Sequence, residues 1–333
     1  MIKINTTTDN FDIALARARA GDVIELEENA VYNTQGAWAF PDSGYLSLKS
    51  GVTLIAKNAT IKLVNPIRTT GSNLRPDKDL PILRAGSDTV ITGGKWDCNY
   101  EAHPGWFAQG IRFFGRFAIA DSEILGMSGS RASGTPSNEV ESFAISSEGD
   151  TSDSQIARVH VHSCKSDDPN DYVSGIFLGA TQPTTKVSLI EGCRVYLGKY
   201  GQFGVSANTK VRIEDSEFVA SRGFYNDTGP TDVVMVNCDL EGTYAAVEFV
   251  SKNAPAVRRQ ILLRNCSLTG ERMLTWDDYT TKMTGFMVAE GCLFSGTYAA
   301  AIQGTGNIML AKCQLPEDYK VALSGGSTSP TIF

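Results

Sequence analysis

Nine short segments of this chain carry a small residue at the end of an alternating apolar run. In order these residues are Cys98, Ser122, Cys164, Cys193, Ser216, Cys238, Cys266, Cys292 and Cys313. The successive gaps are 24, 42, 29, 23, 22, 28, 26 and 21 residues. A motif returning every roughly 20–30 residues marks a repeat architecture, in which each unit stacks on the one before. The preceding residue is restricted too: Asp97, Asp121, Ser163, Gly192, Asp215, Asn237, Asn265, Gly291 and Lys312. All but Lys312 are Asp, Asn, Gly or Ser, which accept left-handed or tightly turned backbone.

Strands flank this turn. Val211–Arg212–Ile213 and Val233–Val234–Met235 alternate before it. Cys238–Asp239–Leu240 and Cys266–Ser267–Leu268 follow it. A third strand comes about ten residues later, as in GIRFFG, SFAIS, GIFLG, GFYND and AAVEFV. No helical period lies between the strands, which argues against a βαβ fold. The pattern predicts an all-β chain: a single three-sheet solenoid of roughly ten coils. The start is different. Phe11, Ala14, Leu15 and Ala18 repeat at helical spacing, with Asp9 or Asn10 as cap. A short helix there would cover the open end of the first coil. The expected layout is a cap over 1–22, coils over 23–323 and a loose tail over 324–333.

Composition narrows the function. The 30 Lys+Arg against 37 Asp+Glu give a net charge of −7, which disfavours a nucleic-acid partner. No apolar run approaches the roughly 18 residues of a membrane span. The first residues lack the apolar core of a signal peptide, so none is expected. Seven cysteines is an odd number, which excludes complete pairing into disulfides. Metal ligation would want CxxC or His/Cys clusters, and none occurs. The cysteines therefore read as a column of small buried apolar residues, one per coil.

The segments AGDVIEL, GVTLIAKNATIKL, VITGGKWDCN and the repeated V-x-[DN]-C-x-[LF]-x-G units resemble the pectate-lyase-like right-handed parallel β-helix family. The resemblance covers nearly the whole chain. It implies a right-handed β-helix whose substrate groove follows the third strand and its flanking loops. Members include polysaccharide lyases, glycoside hydrolases, epimerases and phage tailspikes. The resemblance thus implies a polysaccharide partner, a homotrimer if the chain is a tailspike, and a Ca2+ ion if it is a lyase. A tailspike would be virion-associated or extracellular. The paired Asp motifs and His-Gly of polygalacturonases are absent; SDD at Ser166–Asp168 is only a partial match.

Three insertions break the period: Asn99 to Gln109, Met127 to Val140 and Lys165 to Val173. Each precedes a third strand, so together they should wall one side of the groove. Alternation turns Ile111 and Phe113 inward and leaves Arg112 and Phe114 outside. By the same logic Gln202, Ser206, Tyr225, Asp227 and Glu248 face out, then Trp276 or Asp277. Carboxylates on neighbouring rungs suit glycoside hydrolysis. Asp227, Glu248 and Asp277 are the catalytic candidates, with Asp167 and Asp168 on the loop wall. Aromatic or cationic side chains for binding sugar are His103, Trp106, Phe107, Arg112, Phe114, Arg222, Tyr225 and Trp276. A lyase would instead need a base and a cation, which Tyr225 with Arg112 or Arg222 would supply. His160 and His162 alternate with valines and read as surface residues of another sheet. A structural or adhesive solenoid without a catalytic site is the remaining alternative.

Overall fold

The computed structural model describes residues 2–4, 10–36, 47–64, 81–102, 108–131, 139–179, 186–227, 229–251, 257–279, 283–304, 306–324, 327 and 329–333. Among these, 28 strands form one continuous paired system. Its pairings join each strand to its equivalent one coil later, in parallel. Lys210–Glu214 pairs with Thr231–Val236, then come Val257–Arg264, Met283–Glu290 and Ile308–Ala311. Three such sheets wrap around a continuous apolar core. The fold is the expected right-handed parallel β-helix.

The helix spans Phe11–Arg17, and Asn10 caps it by accepting from the Ile13 N–H at 3.1 Å. Phe11 and Leu15 are buried, and the Phe11 ring lies 6.0 Å from that of Tyr32. Asp12 goes inward as well. It accepts from Thr34 Oγ1 at 2.6 Å and Gln35 N at 3.0 Å, and burial raises its pKa. Ile2–Ile4 pairs with Val23–Leu26, so the chain joins the sheet before the helix begins. At the other end Thr331–Ile332, within the expected tail, pairs with Ile308–Ala311 as a further rung.

The register corrects the cysteine column. Thr92 pairs with Ala120, and Lys95 with Glu123, which aligns Gly94 with Ser122. Glu123 pairs with His160 and His160 with Arg194, which aligns Ser122, Val159 and Cys193. The true column is Gly94, Ser122, Val159, Cys193, Ser216, Cys238, Cys266, Cys292 and Cys313. Cys98 and Cys164 belong to the next corner, at the far end of the second strand. Both corners carry a left-handed residue, Asn99, Gly126 and Ser163 at the second, so a turn signal alone does not separate them. All seven thiols are free. Cys193, Cys238, Cys266 and Cys313 donate to carbonyls of the preceding rung at 3.3–3.7 Å, as Ser122 does to Gly93 at 2.8 Å.

The turn column is left-handed throughout. Gly93, Asp121, Arg158, Gly192, Asp215, Asn237, Asn265, Gly291 and Lys312 all have φ between 49° and 77°. Lys312 and Arg158 are the two residues there without a local reason to adopt it. Lys312→Gly is therefore expected to stabilise the last coil by about 0.5–1 kcal/mol. Urea unfolding checks this; an unchanged or lowered midpoint would contradict it.

Candidate functional site

The third sheet is built from Gln109–Phe114, Ser142–Glu148, Val173–Leu178 and Phe203–Ala207, then the later halves of Glu217–Asn226, Asp239–Ser251, Ser267–Asp278 and Leu293–Gln303. Its inward column runs Ile111, Ile145, Ile176, Val205, Phe224, Val247, Leu274 and Ala300. The next residue of each strand faces out: Arg112, Ser146, Phe177, Ser206, Tyr225, Glu248, Thr275 and Ala301. A cleft opens on this face across the rungs of Phe143, Phe177, Phe203 and Tyr225.

Register brings Asp227, Glu248 and Asp277 together. Asn226 pairs with Phe249, and Val250 with Asp277. Asp227 and Asp277 thus flank the rung of Val250, their backbones roughly 10 Å apart at the usual rung spacing. Glu248 lies on the rung between them, two positions back.

The three acids are not equivalent. Glu248 is 2% exposed and ion-paired with the Arg222 guanidinium. That guanidinium sits 5.1 Å from the centre of the Tyr225 ring and 5.1 Å from that of Tyr244. Burial works against the charge on Arg222, but attraction to Glu248 outweighs it and raises the pKa. Arg272 covers Tyr244 at 4.9 Å and donates to its hydroxyl at 2.8 Å. Tyr225 stacks on Phe203 at 5.8 Å. Phe203, Tyr225, Arg222, Tyr244 and Arg272 thus form one ladder of rings and guanidinium groups. The Tyr225 hydroxyl donates to Asp227 Oδ2 at 2.9 Å. Burial first, and then Asp227, push the Tyr225 phenol well above its ordinary pKa. Tyr279 is raised too, chiefly by Asp277. Asp227 remains half-buried, while Asp277 and Asp278 are buried and Asp278 accepts from Met283 N at 3.0 Å.

The aromatic ladder extends toward the earlier coils. Phe143 lies 5.6 Å from Phe177 and 6.2 Å from Phe203. These rings and Tyr225 line a cleft of about 260 Å³, with Glu141, Gln202, Ser206 and Asp227 at its edges. Further along, Phe114 lies between the guanidinium groups of Arg84 and Arg112, at 5.6 and 5.4 Å. Arg112 pairs with Glu148 at 2.8 Å. A wider hollow of about 740 Å³ opens beside Phe114 at the corner beyond the groove. Its charges are largely neutralised in exposed pairs, Arg116 with Asp88 and Lys186 with Asp153.

One expected binding residue is corrected. Trp276 pairs with Phe249 and Ile302 in the inward register, is fully buried, and meets the Phe249 ring edge-on at 5.8 Å. Its neighbours Thr275 and Asp277 take the outward register positions, where both are nonetheless buried. Asp167 and Asp168 are exposed on their loop and do not line the cleft. Asp168 there accepts from Asn170 N at 2.8 Å. His103, Trp106 and Phe107 lie outside the described residues. His160 and His162 are on the second sheet, with His162 held by Glu123 at 2.7 Å.

Sequence reading missed Glu141, Phe143, Phe177, Phe203, Tyr244 and Arg272. Phe177 was accessible to alternation, since Ile176 beside it points inward. Phe143, Phe203, Arg222 and Arg272 precede the inward column by two positions, where the strand enters from a corner and alternation no longer gives direction. Among the described residues no group of three His, Cys, Asp or Glu side chains is arranged to hold a metal ion. No ligand set is therefore assigned for the calcium that a lyase would use.

No protein-family model and no curated protein matches the chain. Solved structures do. The Dettilon tailspike protein aligns over 97% of this chain with a TM-score of 0.60 and 10% identity; this chain spans 66% of that one. The polygalacturonase of Erwinia carotovora ssp. carotovora aligns over 98%, with 96% of its own length covered, a TM-score of 0.56 and 13% identity. The A-module of the mannuronan C-5 epimerase AlgE4 from Azotobacter vinelandii aligns over 96%, with 93% of its own length covered, a TM-score of 0.55 and 16% identity. The shared architecture is the right-handed parallel β-helix.

Proposed function

We propose that the groove of the third sheet binds a polysaccharide and hydrolyses it with Asp227 and Asp277. The observation that carries this reading is the convergence of three carboxylates on successive rungs beside a half-buried row of rings. Glu248 is the anchor of the three, because its charge is already satisfied by Arg222. Asp227 and Asp277 stand two rungs apart, which suits a glycoside-hydrolase pair with a water between them. Inverting enzymes separate the two carboxyl groups by about 6.5–9.5 Å. The Tyr225 hydroxyl orients Asp227 as an acceptor, so Asp227 takes the proton of the attacking water. Asp277 then donates a proton to the departing glycosidic oxygen.

The test is incubation with a panel of capsular and plant polysaccharides. Release of reducing ends without absorbance of an unsaturated uronate is the expected result. Absorbance would replace hydrolysis with elimination; no new ends with any polymer would remove the enzymatic reading.

A second reading has one observation in its favour, the similarity to a tailspike over 97% of the chain. In that reading the groove recognises a host-surface polysaccharide, with or without cleavage, from a virion-associated homotrimer. Light scattering distinguishes it: a monomer of 35.9 kDa in dilute solution would count against such an assembly.

A further inference from the structure

We infer that the cleft formed by Phe143, Phe177, Phe203 and Tyr225 is a subsite for one uncharged pyranose ring and excludes a uronate. The inference rests on the polysaccharide reading above and names the sugar class that the aromatic end of the groove takes. Three neighbouring phenylalanines present no polar atom, so this floor suits the C–H face of a sugar better than its hydroxyl edge. Phe143 and Phe177 stay partly open to the groove. An apolar surface left open in this way marks a contact site. The cleft measures about 260 Å³, which is smaller than the roughly 300–1,000 Å³ of sites for drug-sized ligands. It has room for a single ring of a longer chain.

Charge decides the class. Among the described residues lining the cleft, the one cation is Arg222. Its guanidinium is ion-paired with Glu248 and held between two tyrosine rings. Two carboxylates, Glu141 and Asp227, are also part of the lining. A sugar carboxylate entering here would meet like charges and no uncommitted cation. Hydroxyl groups would find neutral partners in Gln202 and Ser206 and acceptors in the two acids.

Affinity electrophoresis of the full chain tests this, with gels containing galactan, mannan, glucan, polygalacturonate or alginate. At least one neutral polymer is expected to retard the protein at least ten-fold more strongly than either uronate polymer. Phe177→Ala is expected to weaken that retardation at least ten-fold, and Phe143→Ala serves if the first variant does not fold. Glu141→Gln is expected to narrow the difference between neutral and uronate polymers. Equal or stronger retardation by polygalacturonate or alginate would overturn the inference. So would no retardation by any neutral polymer, or retardation that is indifferent to the phenylalanines. Cleavage of a uronate polymer would overturn this subsite and leave the hydrolytic reading standing. Retardation by a neutral polymer that is never cleaved would do the reverse.

Discussion

Asp227→Asn is expected to abolish polysaccharide cleavage while leaving the solenoid folded. General acid–base groups contribute about 10²–10⁴-fold, so the loss of rate should fall in that range. Asn keeps the size of the side chain and retains an oxygen for the Tyr225 hydroxyl, which now donates to Asp227 at 2.9 Å. Asp227 also lies just past the end of the Glu217–Asn226 strand and is only half-buried, so its charge is not needed to close a rung. The measurement is initial rate of reducing-end release, alongside circular dichroism to confirm the fold. Full activity in the variant would end the assignment of Asp227. A parallel measurement on Asp277→Asn separates the two roles: if Asp277 is the proton donor, substrates with good leaving groups should be spared more than the natural polymer.

Arg222→Ala should act on stability. It removes the ion-pair partner of the Glu248 carboxylate, whose side chain is only 3% exposed. Breaking a buried pair by removing one partner costs about 3–5 kcal/mol. The lower end is expected, because Arg222 keeps 26% of its side chain exposed. The change also removes the guanidinium between Tyr225 and Tyr244, so both rings lose a neighbour. The unfolding midpoint in urea should fall clearly. The double variant Arg222→Met with Glu248→Leu should recover most of the loss, since it removes both charges together. Failure of the double variant to recover would show that the stacking, and not the ion pair, holds this part of the groove.

The two substitutions separate chemistry from scaffold, the first removing the charge of Asp227 and the second the ion-pair partner of Glu248. Asp227, Glu248 and Asp277 are all acids at, or just past the end of, the third strand of a coil. Their distinction comes from Arg222, which lies one coil before Glu248 and enters from a corner. Its direction is set by the turn of the chain there, which no local period records. The same corner explains Phe143 and Phe203. Trp276 shows the opposite failure: its neighbour Asp277 is polar and looks like the better core-breaker, but the register was open by one residue. A one-residue slip moves every side chain to the other face of a sheet.

The repeat itself was legible because it is a one-dimensional property. A left-handed turn accepts few residues, and stacking in parallel register brings like positions over like. Those two constraints leave a periodic trace, and from it the β-helix could be read; the capping helix showed through its own helical spacing, and the choice of sheet for a groove came from the family resemblance. The two constraints could not assign Cys98 and Cys164, because two corners of each coil obey the same turn chemistry. Only the tertiary structure decided which acids are buried, which rings join into a platform and that Trp276 is core. Those outcomes depend on side chains from different coils meeting in space, and contacts between rungs leave no period to read.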